Sequence, residues 1–198
     1  MSHETQVEAK NRDNEVPLEK KLDDLYDLID GIETAMLTTR RPDGQLVSRP
    51  MQTQRRTTGT DLWFMTNVAT ETLEELAQDS QVNLAYFNNR TREWVSVSGH
   101  ALITRDKDLI ADLYKPDWKA WLGESSDPRC DGGPTDPRIA LIMVEADSVM
   151  YSKSDRPMPL ALFQIAKSVI TGKAPKVADM RELDRDELRK PIQSPDLR

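Results

Sequence analysis

The stretch LVSRPMQTQRR, residues 46–56, is followed after a short turn by LWFMTNVATETLEELA, residues 62–77. Side chains of the first stretch alternate in polarity as in a half-buried β-strand, yet the strand carries Arg49. The second stretch runs from an aromatic strand through a polar turn into a helix. Two neighbouring strands would therefore bring an arginine and a Thr- and Asn-rich helix entrance together. That arrangement could hold a phosphorylated, flat, aromatic ligand.

The residues around these two stretches predict a mainly β, α+β fold. Strands are expected at residues 34–39, 46–54, 61–65, 82–87, 93–104 and 138–152. Helices are expected at residues 18–32, 71–79, 106–115 and 159–170. In the fifth strand, Gly99 predicts a bulge or bend, and one face is expected to carry Val95, Val97, Ala101 and Ile103. Six strands with short helices between some of them predict an antiparallel sheet that closes on itself.

The chain of 198 residues fits one domain with tails. Residues 1–15 are polar and lack periodicity, which predicts a disordered N-terminal tail. Residues 173–198 are charged and punctuated by proline, which predicts a loosely held C-terminal tail. The folded domain is therefore expected to span residues 16–172.

Composition limits where the protein works and what it binds. The single cysteine, Cys130, excludes an internal disulfide and points to a reducing compartment. The first residues lack a secretory signal, and no apolar run approaches the length of a membrane span, so we expect a cytoplasmic protein. Charges of both signs are mixed along a chain of net charge −7, which offers nucleic acid no basic surface.

Arg49 and the helix entrance are the strongest candidates for a ligand site. A bound anion would explain a mid-strand Arg49, but a salt bridge or an exposed strand face would explain it equally. A helix start with hydroxyl and amide side chains is a ready anion site, and this one carries Thr66, Asn67, Thr70 and Thr72. The alternative is that Thr72 and Glu75 form a capping box, and the acidic first turn would repel a phosphate.

Other candidate groups are few. Lys119 lies between Trp118 and Trp121, which could form the rim of a cleft or belong to the core. His100 is the one histidine outside the predicted disordered start, so His100 and Cys130 build neither a zinc site nor a thiol protease. The phosphate-binding glycine motifs are absent from the sequence. Redox chemistry would therefore require a cofactor.

Five motifs in this order resemble one known family. They are SRPM (48–51), LWFMTN (62–67), VNLAYF (82–87), WVSVSGHA (94–101) and YKPDWKAWL (114–122). Together they resemble the FMN-binding split barrel of the pyridoxamine 5′-phosphate oxidase-like proteins, and within it the general stress protein 26 branch. The resemblance covers residues 18–153. It implies a six-stranded antiparallel split β-barrel with short peripheral helices, and a homodimer with two FMN molecules in clefts between the subunits.

The resemblance also implies which residues contact FMN. The strand beside the isoalloxazine and ribityl chain would carry Arg49, Pro50, Met51 and Gln52. The strand end that contacts flavin and phosphate would carry Phe64, Met65, Thr66 and Asn67. The segment that the partner subunit brings over the cofactor would carry Lys119 and Trp121.

The chain departs from this family at three places. Thr72, preceded by Glu71, stands where many relatives have a lysine, and Gln54 stands where the oxidase has another. We therefore expect weak FMN binding or a relaxed choice of flavin. The segment SKSDRPMPLALFQ, residues 152–164, does not match the oxidase segment for its phosphorylated substrate, so a true pyridoxamine 5′-phosphate oxidase is not expected.

Three functions remain open at this point. The first is a flavin-binding stress protein that acts as a flavin carrier or sensor with little turnover. The second is a flavin-dependent oxidoreductase that acts on an unidentified small molecule. The third is a barrel that binds haem or deazaflavin.

Overall fold

The computed structural model describes residues 11–55, 62–154 and 179–190. Its helices are α1 (Leu18–Ile32), α2 (Glu71–Gln78), α3 (Lys107–Leu113), α4 (Lys119–Leu122) and α5 (Arg185–Leu188), and a 3-10 turn covers Pro116–Trp118. Its strands are β1 (Thr34–Arg40), β2 (Leu46–Gln52), β3 (Leu62–Asn67), β4 (Gln81–Phe87), β5 (Trp94–Thr104), β6 (Ile139–Lys153) and β7 (Asp179–Leu183). The predicted helix at residues 159–170 lies outside the described residues.

The strands form an antiparallel barrel in the order β2-β1-β4-β5-β6-β3. The barrel closes because Thr53 bridges Phe64 and the Gln54 main-chain N–H donates to Trp63 O at 2.7 Å. The predicted split-barrel class is thereby confirmed. The predicted count of six strands is wrong, because a seventh strand, β7, pairs with the second half of β6.

Strand β5 bends where it crosses β6. Its register against β6 shifts between Ser98 and Gly99, and a Cβ atom on Gly99 would lie 2.1 Å from the main-chain oxygen of Glu145. The bulge predicted from Gly99 is thus present. Ala101 is buried as predicted, but Ile103 is 40% exposed. The reason is that β4 begins at Gln81, opposite His100, so that it does not cover β5 as far as Ile103.

Two hydrophobic clusters stabilise the fold. The larger fills the barrel and includes the apolar face of α1, namely Leu22, Leu25, Leu28 and Ile29. The smaller lies under α3 and α4 and contains Trp63, Ile110, Leu113, Trp118, Leu122, Ile139 and Leu141. Trp118 is 2% exposed, so of the two alternatives left open for it, the rim of a cleft or the core, the structure shows the core. Trp121 is 77% exposed.

Parts of both predicted tails are folded against the barrel. Asn11 is buried, and the main-chain N–H of Asp13 donates to Met180 O at 2.8 Å. Arg181 of β7 is 2% exposed and forms ion pairs with Asp13 and Asp24. The predictions of a disordered N-terminal tail and a loose C-terminal tail are therefore wrong over residues 11–15 and 179–190. The ion pairs of the buried Arg181 with Asp13 and Asp24, which are distant in the sequence, hold these residues against the barrel.

Candidate functional site

Strand β2 lies at one end of the strand order and presents two different faces. Leu46, Ser48, Pro50 and Gln52 are exposed, whereas Val47, Arg49 and Met51 are half-buried. Met51 packs against the larger core cluster. The alternation predicted for this strand places the Arg49 side chain on the inner face, towards the neighbouring strand β1 and helix α2.

Arg49 forms an ion pair with Glu75 of α2. Arg49 Nη1 donates to Glu75 Oε2 at 2.7 Å, and Arg49 Nη2 donates to Glu75 Oε1 at 2.8 Å. Thr39 completes the group, because its hydroxyl accepts from Arg49 Nη1 at 3.1 Å and donates to Glu75 Oε2 at 2.6 Å. Three explanations were open for Arg49: a bound anion, a salt bridge and an exposed strand face. The structure shows the salt bridge.

The Arg49–Glu75 pair is largely shielded from water. The Glu75 side chain is 3% exposed and that of Arg49 is 26% exposed. The hydrogen bonds from Arg49 hold the pKa of Glu75 below its ordinary value, although burial acts in the opposite direction. The same bonds raise the pKa of Arg49. Both groups are therefore charged at neutral pH, and Glu75 has no proton to donate.

Helix α2 begins beside this ion pair. Thr70 is the N-cap residue, but its hydroxyl donates to Asn67 O at 2.9 Å and lies 3.2 Å from the hydroxyl of Thr66. Within the described part of the chain, no acceptor is recorded for the main-chain N–H groups of Glu71 and Thr72. A first turn of this kind presents hydrogen-bond donors to a ligand anion.

The alternative of a capping box between Thr72 and Glu75 is not what the structure shows. Thr72 is the second residue of α2 and is 4% exposed, while the Glu75 carboxylate is bound by Arg49 and Thr39. The Thr72 side chain therefore faces the protein interior.

Arg49 and the helix entrance are brought together, as predicted. The Arg49 Nη2 atom lies 3.7 Å from Glu71 Oε2 in the first turn of α2. Gln54 is 5% exposed, and its amide donates to Gln52 O at 2.9 Å. Gln54 is therefore buried and brings no positive charge to the site.

The other predicted contacts lie elsewhere. Phe64 is fully buried in the larger cluster, and Met65 packs on the smaller one. Lys119 and Trp121 belong to α4, which sits on the smaller cluster through Leu122. In the part of the chain that the structure describes, no hydrogen bond or ion pair links α4 to Arg49 or α2. One copy of the chain thus brings β2, the end of β3 and the start of α2 together, but it does not bring α4 to them.

Sequence reasoning missed two residues of this site, Thr39 and the ion-pairing role of Glu75. The sequence did contain a signal for the second: Glu71 and Glu75 are four residues apart and so lie on one face of the helix. Thr39 gave no comparable signal, because its contacts depend on the pairing of β1 with β2.

The remaining polar groups do not form a metal site. No group of three or more potential metal ligands occurs within residues 11–55, 62–154 and 179–190. His100 Nδ1 lies 2.7 Å from Asp147 Oδ2, and Asp147 also pairs with Arg185 of α5. None of the described helices is long and apolar enough to cross a membrane.

Comparison with known proteins identifies relatives over most of the chain. Residues 20–176 match the family model described as pyridoxamine 5′-phosphate oxidase like. Protein bli-3 of Neurospora crassa is 37% identical over 181 residues, which cover 90% of this chain and 87% of that protein.

Solved structures share the fold. A protein from Jannaschia sp. CCS1 described as a general stress protein 26 superposes with a TM-score of 0.62 at 19% identity, covering 83% of this chain and 98% of that one. A pyridoxamine 5′-phosphate oxidase-related, FMN-binding protein from Nostoc punctiforme superposes with a TM-score of 0.55 at 14% identity, covering 69% and 84%.

Proposed function

Because the chain belongs to the pyridoxamine 5′-phosphate oxidase-like family, we propose that it binds FMN between β2, the end of β3 and the start of α2. The observation that carries the proposal is the uncapped first turn of α2 beside the partly exposed Arg49. The FMN-binding protein from Nostoc punctiforme, which has the same fold, supports it. The Thr66 hydroxyl adds one neutral donor near this turn if it turns away from the Thr70 oxygen, since the Thr70 hydroxyl already donates to Asn67 O.

These residues fit the anionic tail of FMN with mostly neutral donors. Both Nη1 hydrogens and one Nη2 hydrogen of Arg49 are already donated to Thr39 and Glu75, which leaves the Nε–H and one Nη2–H. The main-chain N–H groups of Glu71 and Thr72 complete the donor set. Bound flavin would supply the redox chemistry that the described side chains lack.

Within this function we favour a flavin carrier or sensor with little turnover over an oxidoreductase. Arg49 and Glu75, the charged pair beside the helix entrance, bind each other, and Arg49 keeps Glu75 ionised. A carboxylate in that state does not act as a general acid. A cytoplasmic location stays a prediction.

The function is tested by titrating the purified full-length chain with FMN and following flavin fluorescence and the visible spectrum. We expect quenching that saturates at one flavin per chain. No quenching at high micromolar FMN would overturn the proposal. If the protein as purified has the absorbance spectrum of haem or of a deazaflavin, that group and not FMN would be its cofactor. Rapid oxidation of a reduced nicotinamide by the flavin-loaded protein would favour the oxidoreductase.

We further propose that the partner at this site is a second copy of the chain. The outer face of the barrel carries a cross-strand row of uncharged residues in register: Pro50, Met36, Ala85, Ser96 and Met150. A second row beside it is hydroxyl- and amide-bearing: Ser48, Thr38, Asn83, Ser98 and Ser148. Several of these polar groups already bond to one another, as Thr38 does with Ser48 at 2.8 Å.

The five residues of each row carry no charge, although Glu182 of β7 continues the first row beyond Met150, and an uncharged surface costs less to bury against a second copy than a charged one. Met36 and Met150 are 40% and 38% exposed on it. A second copy would also supply the α4 residues Lys119 and Trp121, which one copy does not bring to Arg49. The proposed FMN site is therefore incomplete in a monomer.

The substitution Ala85→Glu should break this dimer, because it places a charge in the middle of the uncharged row. Ala111→Glu, at an exposed position of α3, is the matched control. Light scattering at micromolar concentration should give a dimer for the parent and the control and a monomer for Ala85→Glu. A monomeric parent would contradict the dimer proposal.

A further inference from the structure

Arg49 lies where we place the phosphate of FMN, and its positive charge is already neutralised by an ion pair within the protein. Glu75 receives a hydrogen bond from each Nη atom of Arg49, and its side chain is almost fully buried. Thr39 holds the same carboxylate at 2.6 Å. Pulling Glu75 away from Arg49 would leave a buried charge without its partner, which is strongly unfavourable. A ligand anion must therefore share Arg49 with Glu75 and cannot displace it.

Glu71 adds negative charge at the same place. Its side chain is 77% exposed, and its Oε2 atom lies 3.7 Å from the Arg49 Nη2 atom. That Nη2 atom carries the hydrogen which the ion pair with Glu75 leaves available. Glu71 thus competes for this donor. Since Arg49 and Glu75 cancel, the first turn of α2 is left with the negative charges of Glu71 and Glu74, of which Glu71 is the one that faces Arg49.

The other charges around α2 reduce this negative charge but do not cancel it. Arg40 is paired with Asp79 at the far end of the helix. Arg41 acts on Glu75 from a distance as one positive charge, which offsets one of the two glutamates in the first turn of α2 and leaves the other. Thr72, where a lysine would have supplied a positive charge, is buried.

We propose that Glu71 is a specificity-determining residue that removes the preference of this site for the phosphorylated flavin, so that riboflavin and FMN bind with comparable affinity. The inference rests on the proposed flavin site. The aromatic ring and the ribityl chain are common to both ligands, and only the phosphate meets the negative helix entrance. Phosphate bonds to neutral main-chain donors are then offset by repulsion from Glu71.

The test compares Glu71→Gln with Glu74→Gln in the full-length chain. Both are exposed glutamates in the first turn of α2, so both substitutions remove one carboxylate and weaken the interaction with the helix dipole alike. Glu71 faces Arg49, whereas no ion pair of Glu74 is recorded among the described residues. FMN and riboflavin are titrated into each variant at low and at high salt.

The parent should bind the two flavins within about tenfold of each other, which corresponds to about 1.4 kcal/mol. Glu71→Gln should tighten FMN several-fold at low salt and leave riboflavin unchanged, and Glu74→Gln should change neither appreciably. The gain should shrink at high salt because exposed charges are screened. Equal effects of the two substitutions on FMN, or a parent that prefers FMN a hundredfold, would overturn the role of Glu71 while leaving the flavin site in place. Failure of every variant to bind either flavin would overturn both proposals.

Discussion

At the scale of single residues, Arg49 shows what local sequence can and cannot say. The alternation of β2 predicts a mid-strand arginine on one face, and the structure places it there. The identity of its partner depends on α2 lying beside β1 and β2, and no local periodicity encodes that packing. The same limit explains Thr72, which precedes Glu75 by a capping-box interval and yet is buried as the second residue of the helix.

Arg49→Lys should lower the free energy of unfolding, although the positive charge is kept. A lysine cannot reproduce the two parallel bonds to the Glu75 carboxylate or the bond to Thr39. We expect a loss of about 1–3 kcal/mol, the range for a hydrogen bond to a buried charged group.

The matched control for this substitution is Arg40→Lys. Arg40 Nε donates to Asp79 at 3.2 Å, and its side chain is 51% exposed. Exposed pairs of this kind contribute about 1 kcal/mol or less, so the control should change stability little. Urea unfolding midpoints of both variants measure the difference. Equal losses would show that the Arg49–Glu75 pair has no special role in stability.

At the scale of elements, strands with clear alternation were predicted and a short one was not. Most of the six barrel strands follow from apolar and polar residues at a period of two, β3 follows from an apolar run, and the bulge follows from a glycine inside β5. Strand β7 reads Asp-Met-Arg-Glu-Leu, five residues in which three are charged. Such a segment is normally solvent-exposed. It becomes a strand here because the buried Arg181 pairs with Asp13 and Asp24 and because β6 continues far enough to pair with β7.

Gly99→Ala should destabilise the protein strongly. The added methyl group would lie 2.1 Å from the main-chain oxygen of Glu145, so β5 and β6 would have to separate at the bulge. We expect a loss of about 3 kcal/mol, in the range of strained or overpacked core substitutions.

Gly31→Ala is the control for this prediction. Gly31 lies near the end of α1 with no atom within 4 Å of its added Cβ. Alanine is the better helix former, so this variant should be about 0.5 kcal/mol more stable or unchanged. If only glycine fits at the bulge, the thermal unfolding midpoint should fall strongly for Gly99→Ala and should rise slightly or stay unchanged for Gly31→Ala. Similar shifts would contradict the close approach at Gly99.

At the scale of the whole molecule, one charge cluster joins the N-terminal residues, α1, β6 and β7. Asp24 of α1 binds Lys153 of β6 and Arg181 of β7, and Arg181 also binds Asp13. The cluster connects residues that are far apart in the sequence. The composition of the two terminal segments predicted tails because their charged residues have no partners nearby in the sequence. Their partners become known only from the folded structure.

The cluster predicts how the protein responds to acid. Burial alone would raise the pKa of Asp24, but bonds from Lys153, Lys20 and Arg181 outweigh it and lower the pKa to about 2. A carboxyl group with a lowered pKa in the folded state stabilises the protein above its ordinary pKa of about 4. That contribution should be lost as the pH falls from about 4 to about 2.

Asp24→Asn tests this explanation. Removing the carboxylate leaves Arg181 buried with one acidic partner fewer, so the variant should be about 3 kcal/mol less stable at pH 7. Its stability should then fall less between pH 4 and pH 2 than that of the parent, because the group that titrates there is gone. Asp23→Asn changes the exposed neighbouring residue and should follow the parent curve. Urea unfolding at a series of pH values measures all three proteins. If Asp24→Asn loses as much stability as the parent over this range, other carboxyl groups control acid unfolding and the cluster does not.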